Sequence, residues 1–202
     1  MPEHVAFWRT IHTRRSIRRY NNQPIPHSLL ERLLTAAIWA PNAHNRQSWR
    51  FVAVTERSSQ QQLADSMAQR WEHDLLADGL DSQKVRAQIE RSRARIMGAG
   101  ALVVGCLTMA DMDHYADDYR QRLEWQMAVQ STSLALGQLL LAAHHEGLGA
   151  CWMCAPIFVP DIVQDVLALS ADWEPQALIT LGYPAETKEK TRRPLEEVVL
   201  WR

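Results

Sequence analysis

Four arginines and a serine are packed into six residues near the start of the chain: Arg14, Arg15, Ser16, Arg18 and Arg19 surround one apolar residue, Ile17. A guanidinium offers forked N–H donors that match phosphate oxygens, and a hydroxyl among them completes a cradle for an anion. A run this basic also fits a solvated patch or a nucleic-acid surface, and the hexamer alone leaves these readings open. The whole chain bears on the choice. Its 22 Lys and Arg are balanced by 23 Asp and Glu, for a formal charge of −1, so no global basic field draws DNA or RNA. The cluster is therefore a local device suited to one small anion.

Two further stretches carry chemistry. Pro41, Asn42, Ala43, His44, Asn45, Arg46, Gln47 and Ser48 form an amide-rich loop ahead of an apolar run over 51–55. Asn and Gln both donate and accept, as the edge of an amide-like or pyrimidine-like ring requires. Cys151, Trp152, Met153 and Cys154 have the C-x-x-C spacing of a redox pair or of half a zinc site. Neither use fits the surroundings. No second C-x-x-C or H-x3-H completes a zinc site, and the pair follows a helix instead of starting one. These cysteines and Cys106 are assigned to packing, and no metal is expected. G-x-S-x-G, H-E-x-x-H and strand-linked G-x-G-x-x-G are all absent from the sequence, so no separate nicotinamide-binding Rossmann unit is expected.

A scaffold must hold these stretches, and 47% hydrophobic content over 202 residues is enough for one sizeable core. Residues 7–13 read as a short helix leading into the arginine cluster. Pro24 and Pro26 break regular structure, and Leu29, Leu30, Leu33, Leu34, Ala37 and Ile38 then recur at helical spacing up to Pro41. A helix is expected over 58–79, with Leu63, Met67, Trp71 and Leu75 at four-residue steps. Another over 82–96 carries Arg86, Arg91, Arg93 and Arg95, and reads either as a solvated face or as a basic wall over a cleft. Residues 99–108 read as a buried strand and 109–119 as an acidic connection of the kind that lids a pocket. One long helix is expected over 120–146. It is apolar nearly all round from 134 to 143, which predicts burial on all sides at a subunit interface. Gly147 supplies a left-handed cap. Strands are expected over 150–154 and 176–183, with a short helix over 159–169 between them. A second basic cluster, Lys188, Lys190, Arg192 and Arg193, precedes a tail over 195–201 that is apolar enough to dock. The apolar runs near 101–107 and 139–143 are too short to span a bilayer, and no secretory signal is read, so a soluble, cytoplasmic protein is expected.

Taken in order, Arg14-Arg15-Ser16-Ile17-Arg18, the loop from Pro41 to Trp49, and Gly147-Leu148-Gly149-Ala150-Cys151-Trp152-Met153 resemble the flavin-dependent nitroreductase superfamily over nearly the whole chain. Within it, the text from Trp71 to Leu80 and Asp172-Trp173-Glu174-Pro175 are similar to the C-terminal domain of the bifunctional glutamate ligase that makes the deazaflavin coenzyme. The resemblance implies an α+β fold with a mostly antiparallel sheet flanked by helices. It also implies a single domain over 1–202 and a homodimer with FMN at its interface. It further implies that Arg14, Arg15, Ser16 and Arg18 hold phosphate and ribityl oxygens, with Arg192 or Arg193 beside them. Pro41, Asn42, Ala43 and Asn45 would come from the other subunit, with Gln47 in the same loop. Cys151, Trp152 and Met153 would face the flavin ring through their backbone. Asn42 stands where many relatives have serine, and Ser48 where they have proline.

The expected function is an FMN-dependent oxidoreductase with ping-pong hydride transfer from NADH or NADPH to a nitroaromatic, quinone or unsaturated acceptor. Two alternatives stay open. One is a stand-alone reductase of a deazaflavin-coenzyme precursor, whose acidity would suit the arginines of 86–95. The other is a non-catalytic flavin or deazaflavin binder. Neither a nucleic acid nor a membrane is expected as a partner.

Overall fold

Seven consecutive buried residues make the strand at the centre of the fold. In the computed structural model, which describes residues 3–202, this strand is β2 (Ala101–Leu107). Burial of both faces needs a layer on either side, and the two-residue alternation of a strand divides the side chains between them. Ala101 and Val103 cluster with residues of α2 (His27–Ala37) and α5 (Asp118–His145). Leu102, Val104 and Cys106 cluster instead with residues of α3 (Arg57–Ala77), α4 (Ser82–Met97) and α6 (Pro160–Val166). Burial pushes the Cys106 thiol up to about 12, which suits a packing role.

Three more strands complete the sheet: β1 (Trp49–Val54), β3 (Gly149–Met153) and β4 (Glu174–Gly182). Their order is β1-β2-β4-β3, and every neighbouring pair is antiparallel. The expected α+β fold is therefore present, with the remaining helix, α1 (Glu3–Thr13), leading into the arginine cluster. Gly105 lets α5 approach the sheet, since a Cβ there would lie 2.6 Å from Leu136 Cδ1. At the end of α5, Gly147 adopts φ +80°, and the N–H of Leu148 donates to the carbonyl of Ala143 at 2.8 Å. This is the left-handed cap the sequence led to. No helix among the described residues is long and apolar enough to cross a membrane.

One expectation changes. The helix expected over 159–169 is shorter, Pro160–Val166, because the chain leaves helical conformation after it, with Ala168 at φ 49° and the Leu169 N–H on the Gln164 carbonyl at 2.9 Å. The connection after β2 packs against β1 through Arg50–Asp111 at 3.0 Å and against the loop before β1 through an ion pair between Arg46 and Asp113. Within one chain the second half of α5, expected at a subunit interface, is covered on one side. Ala135, Leu136, Leu139 and Ala143 are covered, but Leu134 is 51% exposed. The sheet and α2 cover only one side of this helix. Trp39 at 80% and Trp201 at 81% are equally uncovered, so the apolar tail does not dock on its own chain.

Candidate functional site

The arginine cluster runs along the free edge of β3. The N–H of Ile17 donates to the carbonyl of Ala150 at 3.0 Å, Ser16 forms a parallel bridge with Ala150, and Tyr20 bridges Pro184. Two glycines make the approach possible. A Cβ at Gly149 would lie 2.7 Å from Ile17 Cγ2, and one at Gly182 would lie 2.7 Å from the Tyr20 ring. The Tyr20 hydroxyl donates to the Ile17 carbonyl at 2.6 Å and lies 2.7 Å from Thr180 Oγ1. Burial raises the Tyr20 phenol far above its ordinary value, so it remains a donor. The backbone N–H of Arg18 donates to Glu186 Oε1 at 2.8 Å, which holds that carboxyl below its usual range. Backbone and aromatic contacts thus fix the segment and leave its charged side chains available.

Arg14, Arg15 and Arg192 gather with no ion pair to any of them among the described residues. The half-buried Arg14 guanidinium makes no hydrogen bond or ion pair to the described residues. Its pKa is lowered first by burial, then by the like charges of Arg192 and Arg15. Arg15 donates through Nη1 to the carbonyls of His12 and Arg14, both at 2.7 Å, while its Nε is buried with no partner. Arg192 thus approaches Arg14 from the tail; its neighbour Arg193 is exposed in the same segment. Such a cluster is unfavourable until an anion enters it.

His144 of α5 belongs to this field. Its ring lies 2.8 Å from Thr13 Oγ1, and burial, followed by Arg14 and Arg15, lowers its pKa. The native ring then stays neutral at a pH where the unfolded chain has taken a proton. Below about pH 6.5 the unfolded state binds more protons, so native stability falls as the pH drops. His144→Gln should therefore show a smaller stability loss than the parent chain between about pH 7.5 and 5.5. Denaturant midpoints at the two pH values check this, and equal losses would remove His144 from the field.

Beside the cradle, a cleft of about 710 Å³ opens between the end of β3 and the pair α3 and α4. Trp71, Phe158 and Trp152 give it aromatic walls, and Arg18, Arg91 and Arg95 give it positive charge. Arg93, on the same helix, is tied to Asp65 at 2.6 Å, whereas Arg91 and Arg95 make no ion pair among the described residues. The Ala150 carbonyl points outward to Ile17, so strand alternation turns the Trp152 N–H to the same open edge. Met153 also lines the cleft. All three cysteines are free thiols. Cys151 is buried with a raised pKa, and exposed Cys154 accepts from Trp152 Nε1 at 3.1 Å.

The amide-rich loop lies elsewhere. It leads into β1, the opposite edge of the sheet, which three strand spacings separate from β3 by about 14 Å. One chain therefore does not bring Pro41, Asn42, Ala43, Asn45 and Gln47 to the arginine cradle. The loop is nonetheless built. Asn42 Oδ1 accepts from the Gln47 N–H at 2.9 Å, and the Ala43 N–H donates to Ser131 Oγ at 3.1 Å. His44, Asn45 and Gln47 have φ of 50°, 54° and 50°, a strained conformation for side-chain-bearing residues. Asn42 is thus committed inside the turn, while Asn45 and Gln47 are exposed.

Sequence reasoning passed over Phe158 and Glu186. Neither lies in a periodic or clustered pattern, so no sequence signal marked them. Arg91 and Arg95 did carry one, their four-residue helical spacing.

With this geometry in place, the likeness to known proteins is informative. The nitroreductase family matches residues 11–183. A protein of Thermus thermophilus named NADH dehydrogenase is 31% identical, with 94% of this chain and 92% of the relative covered. A Desulfovibrio desulfuricans protein assigned as a nitroreductase and crystallised in complex with FMN is 26% identical, with a TM-score of 0.74. That match covers 97% of this chain and 96% of the other. A BluB-like flavoprotein of Clostridium difficile shares the fold at 20% identity and a TM-score of 0.78, covering 100% of this chain and 99% of that one.

Proposed function

Because this chain belongs to the nitroreductase family, we propose that it is an FMN-dependent oxidoreductase that carries reducing equivalents from NADH or NADPH to a small-molecule acceptor. One observation carries the reading: Arg14, Arg15 and Arg192 converge beside an aromatic cleft with a buried guanidinium nitrogen still lacking a partner. A phosphomonoester fits that cradle, because it supplies both the charge and the acceptors that the arginines lack. When bound, the flavin supplies the redox chemistry, accepting a hydride from the nicotinamide and passing it on.

The residues of this chain bind, orient and exclude water. Arg14, Arg15, Ser16 and Arg18 hold phosphate and ribityl oxygens, with Arg192 closing the cradle and Arg193 as the next cation outward. The edge N–H of Trp152 donates toward the ring, where it stabilises negative charge. Cys151 and Met153 hold that edge in place through the sheet. A homodimer completes the site. Leu134, Trp39 and Trp201 are uncovered, and, apart from its own helix backbone and chain neighbours, Gly137 has no atom of the described residues within 4 Å of the position of a Cβ. A second copy crossing there would cover these groups and bring Pro41, Ala43, Asn45 and Gln47 to the cradle, with Asn42 bracing their turn.

Arg91 and Arg95 favour a narrower version in which the acceptor is an anion, such as a phosphorylated deazaflavin precursor. An acidic, aromatic acceptor would stack on Trp71 or Phe158 and pair with these unpartnered guanidiniums.

The absorbance spectrum of the purified protein tests the first statement. About one FMN per chain should be released by heat. A colourless protein that takes up no added FMN would overturn it. With FMN in place, initial rates with NADPH and a quinone should give parallel double-reciprocal lines, the mark of a shared site used in turn. For the anionic version, Arg91→Ala with Arg95→Ala should raise KM about tenfold for a phosphorylated acceptor and leave a neutral quinone unchanged. Equal effects on both acceptors would sink it.

A further inference from the structure

We propose that His44, Asp113 and Glu124 form a binding site for a divalent transition-metal ion of the Zn²⁺ class, at the β1 edge of the sheet. A ring nitrogen of His44 and one carboxylate oxygen each from Asp113 and Glu124 lie within 4.8 Å of one another. Ligands that share an ion at about 2.0–2.2 Å stand about 3–4 Å apart, so a contraction of about 1 Å closes the triad. The three groups come from separate elements: the loop before β1, the connection after β2, and the second turn of α5. Their wide separation in the sequence explains why no metal-ligand spacing is visible there.

Neighbouring acids alone are common on protein surfaces, and Glu124 is what distinguishes this cluster. It is only 3% exposed, and its Oε2 is buried with no hydrogen-bond partner. No ion pair among the described residues includes it. The nearby cation, Arg46, pairs with Asp113 instead. A buried carboxylate without donor or counter-charge is strongly unfavourable, and a bound cation removes that penalty. His44 is exposed and Asp113 partly so, which gives an ion a path in and leaves a coordination position for water. An imidazole nitrogen with two carboxylates suits Zn²⁺ and its transition-metal neighbours better than Mg²⁺ or Ca²⁺, which prefer oxygen alone.

The ion would lock the loop over 42–47 to α5. Through that loop it would steady Asn45 and Gln47, a consequence that rests on the proposed flavin function, whereas metal uptake does not.

The test is Zn²⁺ titration of the full chain after dialysis against a chelator, with and without added FMN, read by calorimetry and by melting temperature. One Zn²⁺ per chain and a rise in melting temperature are expected in both states. His44→Ala, Asp113→Asn and Glu124→Gln should each weaken uptake by more than about tenfold. Glu124→Gln keeps the shape and removes the charge. Its metal-free form should melt no lower than the parent, while its Zn²⁺-dependent rise disappears. Cys154→Ser should bind as the parent does. Absent uptake, or uptake unchanged in His44→Ala and Glu124→Gln, would overturn the proposal. So would uptake lost in Cys154→Ser, which would show a thiol-bound ion, or a Glu124→Gln effect confined to subunit dissociation, which would assign Glu124 to a second copy.

Discussion

Arg14→Ala weakens FMN binding by about ten- to a hundredfold while the FMN-free protein melts no lower than the parent. The two halves of this expectation have one cause. The Arg14 guanidinium has no partner among the described residues and is disfavoured by burial and by the charges of Arg192 and Arg15, so removing it takes away repulsion. With a phosphate present, the same group makes a charge-assisted hydrogen bond, worth about 1.5–3 kcal/mol, which is the stated loss in affinity. Arg15→Ala should behave differently. Its Nη1 also ties down the carbonyls of His12, in the last turn of α1, and of Arg14 just past it, so this variant loses both affinity and stability. Quenching of flavin fluorescence gives the affinities, and thermal melts of FMN-free protein give the stabilities. Unchanged affinity in Arg14→Ala would move the phosphate out of this cradle.

Gly149→Ala should cost about 1–3 kcal/mol of stability and a larger share of flavin binding. The added Cβ would meet Ile17 at 2.7 and 2.8 Å, inside any tolerated contact, and Ile17 is the residue that pairs with Ala150. Relief requires the segment over 14–20 to lift from the edge of β3. The arginines then lose their fixed spacing even where the rest of the sheet survives. Gly137→Ala is the contrasting variant. Apart from its own helix backbone and chain neighbours, no atom of the described residues lies within 4 Å of its Cβ position, and alanine in a helix interior gains about 0.5–1 kcal/mol over glycine within a single chain. A drop in dimer stability in this variant would mark a helix crossing at that point. Melting curves at low and high protein concentration, paired with FMN titrations, separate the two effects. Full flavin affinity in a destabilised Gly149→Ala would show that the cradle does not depend on its seat against β3.

The local elements were legible in the sequence because their causes are local. Leu29, Leu30 and Leu33 share one helical face, and all three are buried in α2. A run of apolar residues without polar alternation announced a strand covered on both sides, and β2 is one. Gly147 was readable as a cap because only a residue free of Cβ strain adopts its φ of +80° cheaply. The composition of the arginine cluster and of the amide loop was also plain, since donors and acceptors are properties of side chains. Family resemblance carried their joint assignment further than composition did.

What covers a given face is a different matter. The apolar second half of α5 was legible as residues that avoid water at an expected subunit interface, but periodicity does not say which face its own chain covers, and the sheet and α2 reach just one side. Arg91, Arg93 and Arg95 were indistinguishable as a charge run. Their separation into one ion pair and two open guanidiniums depends on where Asp65 falls along α3. The same holds for Glu186 on the Arg18 backbone and for the burial of Glu124, since each depends on contacts between residues far apart in the chain. By itself, then, the sequence determined the elements, the central strand and the kinds of group at the site, because these follow from side-chain chemistry and backbone preference at short range. Only the tertiary structure decided that the arginines lie against β3, that the amide loop stands at the opposite edge, and which charges are left without partners. Those outcomes come from packing distant segments around one core, where a neighbour's presence, and not its sequence position, sets the energy of each polar group.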